Sequence, residues 1–225
     1  MYATDSVFDL LTSSHAPLTQ GVVSTFTMKF ALEQGSGKYS TPILRQFVDK
    51  IVSAENNPQW AALATAQSPS YELRRPPAPC AQNILPSTLT PAEWAIITKY
   101  YMSLDDEFAD LTPRLLFVDG NYCERVPMFN AIHANYDMII VHDTAPQPIS
   151  RNYEYHLIDT KYSRYRYGVS TIRGMEIPET TLFTRLPLSD TQLAALKNAI
   201  GLAIIQYCAI YAVPPAHYSY TLSKP

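Results

Sequence analysis

Residues 27–37 read Thr27-Met28-Lys29-Phe30-Ala31-Leu32-Glu33-Gln34-Gly35-Ser36-Gly37. A β-rich, mostly apolar run stops on a Gly-Ser-Gly turn, and from Pro42 to Val48 the apolar spacing is helical. The segment reads as strand, tight turn and helix. Glycine suits such a turn because the backbone must bend sharply and let a ligand approach its amide groups at the head of a helix. Two glycines alone also fit an ordinary turn, so the weight of the segment depends on what surrounds it.

Outward from the turn, Lys50 to Ala54 reads as a second strand ending in Glu55-Asn56-Asn57, and Pro58 to Ala66 as a helix with proline in its first turn. Glu55 stands 22 positions after Glu33, where nucleotide-binding folds place an acid that accepts hydrogen bonds from ribose hydroxyls. A third strand is expected at Tyr71 to Arg74. A proline-rich stretch from Pro76 to Pro91 follows, then a helix from about Ala92 to Met102 with Trp94, Ile97 and Tyr101 on one face. Arg114 to Val118 and Tyr136 to Val141 are continuous apolar runs, as strands buried on both faces should be. They end in Asp119-Gly120 and His142-Asp143. Strands alternating with helices imply an α/β fold whose mostly parallel sheet is flanked by helices and binds ligands beyond the carboxyl ends of its strands. The polar strand ends are therefore expected to converge on one cleft.

After Asp143 the pattern changes. A tyrosine-rich loop to Tyr167 is expected, then strands at Val169–Arg173 and Thr180–Leu186 forming an antiparallel pair around Gly174. A last helix, from Thr191 to about Val213 and capped by Asp190, is apolar around much of its circumference, which suits burial against the sheet or against a second copy of the chain. Residues 1–225 are read as one domain, with an N-terminal accessory segment at 1–26 (helical spacing at Ser6–Leu11), an insertion at 76–112, and a C-terminal helix and tail at 190–225.

Hydrophobic residues make up 47% of the chain and charged residues 16%, the balance of a folded globular protein. A net charge of -3, with no clustered Lys/Arg footprint beyond Arg164 and Arg166, argues against a nucleic-acid partner. Cys80, Cys123 and Cys208 make neither a CxxC pair nor a disulfide framework. The apolar stretch from Ala199 to Val213 is broken by Gly201 and Gln206 and is short for a membrane span. No basic segment followed by an apolar one marks a signal peptide. A cytoplasmic protein with no membrane partner is expected.

Ala31-Leu32-Glu33-Gln34-Gly35-Ser36-Gly37-Lys38-Tyr39-Ser40-Thr41 resembles the first motif of class I S-adenosylmethionine-dependent methyltransferases. Phe117-Val118-Asp119-Gly120, with Arg125 following, resembles the fourth-strand motif of that group, and Ile139-Ile140-Val141-His142-Asp143-Thr144 its fifth-strand ending. The motifs follow in the family's order on the expected elements, which is the contextual test of a motif. The resemblance implies a Rossmann-like sheet and S-adenosylmethionine as cofactor. It further implies that Gly35, Ser36, Gly37 and Thr41 surround the methionine part, that Glu33 orients its amino group, and that Glu55 and Asn56, with Asp119, hold the remainder. Tyr39 replaces a third glycine of the motif, and only Asn83 offers itself as an adenine contact.

Asp119, His142 and Asp143 are the catalytic candidates. Methyl transfer to a hydroxyl requires orienting that hydroxyl and accepting its proton, either directly or through a divalent metal that lowers its pKa. The resemblance extends to metal-dependent O-methyltransferases, which implies Mg²⁺ or Mn²⁺ at Asp119 and Asp143. Arg125, Tyr153 and Tyr165 are expected to bind the acceptor, since tyrosine rings stack on sugars and planar groups. The expected activity is O-methylation of a small molecule or a glycan. A nucleotide-dependent oxidoreductase is the rival enzyme class, although Ser40 stands where the third glycine of GxGxxG belongs, and a non-catalytic subunit of the same fold is a second rival.

Overall fold

The structure is a computed structural model that describes residues 13–37, 39–67, 72–81, 84–144, 153–169, 179–210 and 218–224. Strands β1 (Met28–Gln34), β2 (Val48–Ala54), β3 (Glu72–Arg74), β4 (Arg114–Val118) and β5 (Met138–Val141) are joined through helices α2 (Ser40–Phe47), α3 (Pro58–Gln67), α4 (Pro91–Asp106) and α5 (Tyr122–Ile132). Helix α1 (Ala16–Thr25) precedes them, and β6 (Ser163–Val169), β7 (Thr180–Thr184), α6 (Asp190–Ile210) and β8 (Tyr220–Ser223) follow. The strands form one sheet in the order β3-β2-β1-β4-β5-β7-β6-β8. β1 to β5 pair in parallel, whereas β7 is antiparallel to both β5 and β6, and β8 to β6. This is the expected α/β fold, a mostly parallel sheet with antiparallel strands near its C-terminal end.

Every residue of β4 and β5 is buried, because helices cover both faces of the sheet. On one face Leu18 and Val22 of α1, Leu44 of α2 and Leu196 and Ile200 of α6 pack against Leu115, Phe117 and Ile140. On the other, Ile97 and Tyr101 of α4 and Phe129 of α5 pack against Leu32, Leu116 and Ile139. Each fully buried aliphatic or aromatic side chain contributes roughly 1.5–3 kcal/mol. Buried Arg114, at the start of β4, is held by Asp105 of α4 at 2.8 Å and lies over the rings of Phe30 and Tyr136.

The stretch from 76 to 112, expected as an insertion, holds two 3-10 turns and α4, the crossover helix that leads into β4. The sequence marks the start of α4 strongly: Thr90 and Glu93 form a capping box, followed by a proline at the first helical position. One correction concerns the tyrosine-rich segment. The antiparallel partner of β7 is Ser163–Val169, inside the stretch expected to be loop, and residues 170–178, with Gly174, lie outside the described residues. Tyr165, Tyr167 and Val169 are buried there while Arg164 and Arg166 are exposed, the alternation of a strand with one face on the core. The Ser6–Leu11 segment and Asn83 also lie outside the described residues.

α6 is long and apolar enough to cross a membrane by length and composition. One face of it, including Leu196, Ile200, Ile204 and Tyr207, is packed in the core, while Leu202, Ile205 and Ile210 are exposed.

Candidate active site

The chain reverses direction in the sheet between β1 and β4, so their carboxyl ends flank the crevice where such sheets take ligands. There the structure has a cavity of about 480 Å³, a size suited to a cofactor-sized ligand. Gly35, Ser36 and Gly37 after β1, Glu55 after β2, Asp119 to Tyr122 after β4, and His142 and Asp143 after β5 line it, together with His15, Tyr39, Asn57, Trp60 and Tyr153.

Two glycines bring β1 and β4 together. Gly35 has φ +85°, and a Cβ there would come within 2.6 Å of the Asp119 carbonyl oxygen and the Gly120 nitrogen. A Cβ on Gly120 would lie 2.0 Å from Gln34 Nε2, and the Gly120 N–H is donated to Gln34 Oε1 at 2.9 Å. No other residue type fits the left-handed Gly35 position without strain. Glu55 clamps the loop from the other side: its carboxylate accepts the Ser36 N–H at 2.9 Å and the Asn57 N–H at 2.6 Å. Burial nevertheless pushes the Glu55 carboxyl above its ordinary range, against those hydrogen bonds. The Ser36 hydroxyl is buried and has no partner among the described residues.

Glu33, Thr41 and Asn56 stand behind the cavity wall instead of lining it. Glu33 is fully buried, with Oε2 accepting the hydroxyls of Thr41, at 2.8 Å, and Ser53. Desolvation raises its pKa to about 7, opposed by those hydroxyls. Thr41 Oγ1 in turn accepts the Gly37 N–H at 3.0 Å, so Glu33 fixes the loop through Thr41. Asn56 and Asn121 both donate to the carbonyl of Cys80, and the Asn121 amide also donates to Asn56 Oδ1 at 2.9 Å.

The catalytic candidates meet at the β4 and β5 ends. His142 Nδ1 lies 3.1 Å from Asp119 Oδ1 and 3.4 Å from Asp143 Oδ1, and its Nε2 lies 3.1 Å from the Ser14 hydroxyl. Burial would lower the His142 pKa, but Asp143 and Asp119 override it and raise the imidazole above its ordinary value. Burial would raise Asp119, yet His142 and Arg125 hold it at about 2. Asp143 sits at φ 60°, a conformation that aspartate tolerates better than most residues.

Arg125 is buried behind this group rather than facing the cavity. It donates to Asp119 at 3.1 Å, to the carbonyls of Gly120 and His142, and to the Tyr155 hydroxyl, and its guanidinium lies 4.0 Å from the Tyr153 ring centre. Tyr153 reaches the cavity and donates its hydroxyl to Asp143 at 2.8 Å. Tyr165 does not reach it. It is buried in the core, where its hydroxyl accepts the Leu188 N–H at 2.8 Å. The acceptor role expected of Tyr165 is thus corrected to packing, and that expected of Arg125 to holding the two aspartates.

Asp119 and Asp143, expected to share Mg²⁺ or Mn²⁺, face the Arg125 guanidinium and the His142 ring. A cation already occupies the place between them, so this pair does not fit a hard dication, which prefers oxygen ligands and retained water. Sequence reasoning missed His15, Asn57, Trp60 and Tyr122. Trp60 is one turn into the helix after β2 and Tyr122 opens the helix after β4, positions that the strand–loop–helix pattern marks as cleft-facing. Nothing local marks His15, which long-range packing of α1 brings in.

The fold and cleft define an α/β protein with a cavity across the carboxyl ends of β1 and β4. No family model matches the sequence, and no curated protein matches it. Among solved structures, protein LPL1258 from Legionella pneumophila is similar at 8% identity over 98% of each chain, with a TM-score of 0.49. Human methyltransferase-like protein 13, in complex with SAH, is similar at 13% identity over 85% of this chain and 91% of that one, with a TM-score of 0.49. Spermidine synthase from Thermotoga maritima is similar at 10% identity over 84% and 62%, with a TM-score of 0.47. At such identities and TM-scores no activity passes from these structures to the present chain.

Proposed function

We propose that the chain is an S-adenosylmethionine-dependent methyltransferase that methylates a hydroxyl of a small molecule or glycan. The observation that carries this reading is the cavity itself, which places a glycine loop pinned by Glu55 against the Asp119–His142–Asp143 group. The residues fit the cofactor. The unpartnered Ser36 hydroxyl and the Glu55 carboxylate both line the cavity, suiting the polar ends of an adenosyl amino acid, and Gly35 lets the loop pack directly on the Asp119–Gly120 backbone.

Gly35, Ser36 and Gly37 would hold the methionine part and Glu55 the ribose, while Glu33 and Thr41 keep the loop in place from behind. Bound there, the cofactor supplies an electrophilic methyl group on a sulfonium. Asp119 orients the acceptor hydroxyl, and a proton reaching its carboxylate passes to His142, hydrogen-bonded at 3.1 Å. A carboxylate held near pKa 2 is a weak proton holder and the raised imidazole a better one. Arg125 keeps Asp119 in position, and Tyr153 fixes Asp143 and presents a ring to the acceptor. No step here requires Mg²⁺ or Mn²⁺.

The test is calorimetric titration with S-adenosylhomocysteine and with NAD, followed by methyl-transfer assays over sugars and phenols, with and without Mg²⁺ or Mn²⁺. Binding of S-adenosylhomocysteine and metal-independent transfer are expected; binding of NAD alone would point to an oxidoreductase, and binding of neither to a non-catalytic subunit. Asp119→Asn is expected to lower kcat by at least about a hundredfold while leaving S-adenosylhomocysteine binding measurable; near-normal turnover would remove Asp119 from the reaction.

A further inference from the structure

We infer that His15, His142 and Asp119 form a binding site for a borderline transition-metal dication of the zinc class, in the wall of the cleft. One ligand atom from each of the three lies within 4.8 Å of the others. Ligand atoms around a metal bound at about 2.0–2.2 Å stand about 3–3.5 Å apart, and His142 Nδ1 and Asp119 Oδ1 are already at that separation, 3.1 Å.

His15 supplies an independent observation. Its ring is 2% exposed, lines the cavity, and leaves both nitrogens without a hydrogen-bond partner among the described residues. Buried polar groups nearly always have a partner, and a neutral imidazole with a free lone pair is a metal ligand. Its ring stands edge-on to His142 with centroids 4.6 Å apart, and one of its nitrogens is within 4.8 Å of the other two ligand atoms.

Outside the ligands, the surroundings are those of a metal site. His142 Nε2 lies 3.1 Å from the Ser14 hydroxyl; with its N–H given to Ser14, the Nδ1 lone pair is free for a metal, the arrangement by which a ligating histidine is oriented. Asp119 is anchored by Arg125 at 3.1 Å. Two imidazoles and one carboxylate select the zinc class over Mg²⁺ or Ca²⁺, and three protein ligands leave a fourth position open to the cavity. Ligation takes the His142 lone pair that methyl transfer would use, so the site stands apart from that reading and its readout is binding.

The experiment is titration of the whole chain with Co²⁺, followed by visible absorption and calorimetry, then displacement by Zn²⁺. A single tightly bound Co²⁺ with the intense bands of four-coordination, lost on adding Zn²⁺, is expected. His15→Ala and His142→Ala should each weaken Co²⁺ binding by more than about tenfold, and Ser14→Ala by about tenfold, whereas His133→Ala, away from the cleft, should leave it unchanged. Folding of each variant is checked by circular dichroism. Absence of stoichiometric Co²⁺ binding by the unaltered chain overturns the site, and so does a folded His15→Ala variant that binds Co²⁺ as tightly.

Discussion

His142 accepts a proton only as the neutral imidazole, and Asp143 and Asp119 both stabilise its charged form. The acid limb of kcat/KM should therefore lie above the ordinary imidazole value of 6.5, with activity rising as pH climbs through it. Removing one of the two carboxylates by Asp143→Asn should move that limb to lower pH. A limb that stays put in pH-rate measurements would separate His142 from the proton path. Glu33 has the opposite character: burial raises its carboxyl to about 7. Its folded pKa is above its unfolded one, so the folded state holds a proton that the unfolded state releases, and stability falls as pH rises from about 4.5 to 7. Glu33→Gln should flatten that fall by a few kcal/mol at most, about 1.4 per pKa unit, in urea denaturation at pH 5 and pH 8; equal slopes in both proteins would count against a buried titrating carboxyl.

Elements decide which of these residues meet. β4 and β5 were legible because strands buried on both faces read as unbroken apolar runs, and their polar terminators, Asp119 and His142-Asp143, were legible with them. The glycine turn was legible for the same local reason. Tyr165 was misread because tyrosine content was weighed ahead of alternation: buried Tyr165, Tyr167 and Val169 interleave with exposed Arg164 and Arg166, a period-2 signal present in the sequence. His15 carried no such signal, since its place depends on α1 docking against α6. That docking is close at Gly21, where a Cβ would come within 2.6 Å of Ile200 Cγ1 and 3.2 Å of the Ile200 nitrogen. Gly21→Ala should therefore destabilise the fold by roughly 1–3 kcal/mol through overpacking, despite its better helix propensity, as measured by a lower denaturation midpoint.

Over the whole molecule, the cleft joins β1, β2, β4 and β5, so a ligand seated there bridges most of the parallel sheet. A ligand that binds only the folded chain adds about 2.7 kcal/mol at a hundred times its Kd, which at roughly 2–4 °C per kcal/mol for a chain of this size is roughly 5–11 °C in Tm. S-adenosylhomocysteine should give that shift, and its absence at saturating concentration would contradict the proposed cofactor. Arg125 shows why whole-molecule arrangement exceeded what spacing could reveal: it lies close to Asp119 in sequence, but its partners Asp143 and Tyr155 come from elements folded later along the chain.

The packing of α1 on α6 also sets an order of events during synthesis. Ser13 bonds Tyr207 at 2.7 Å across 194 residues, so the segment that carries Ser14 and His15 is held by α6. A growing polypeptide has the glycine loop and both aspartates in hand before α6 emerges, yet His15 waits for α6. That wall of the cleft is thus closed only once α6 has been made, and a chain interrupted before α6 would carry the parallel sheet with the wall open.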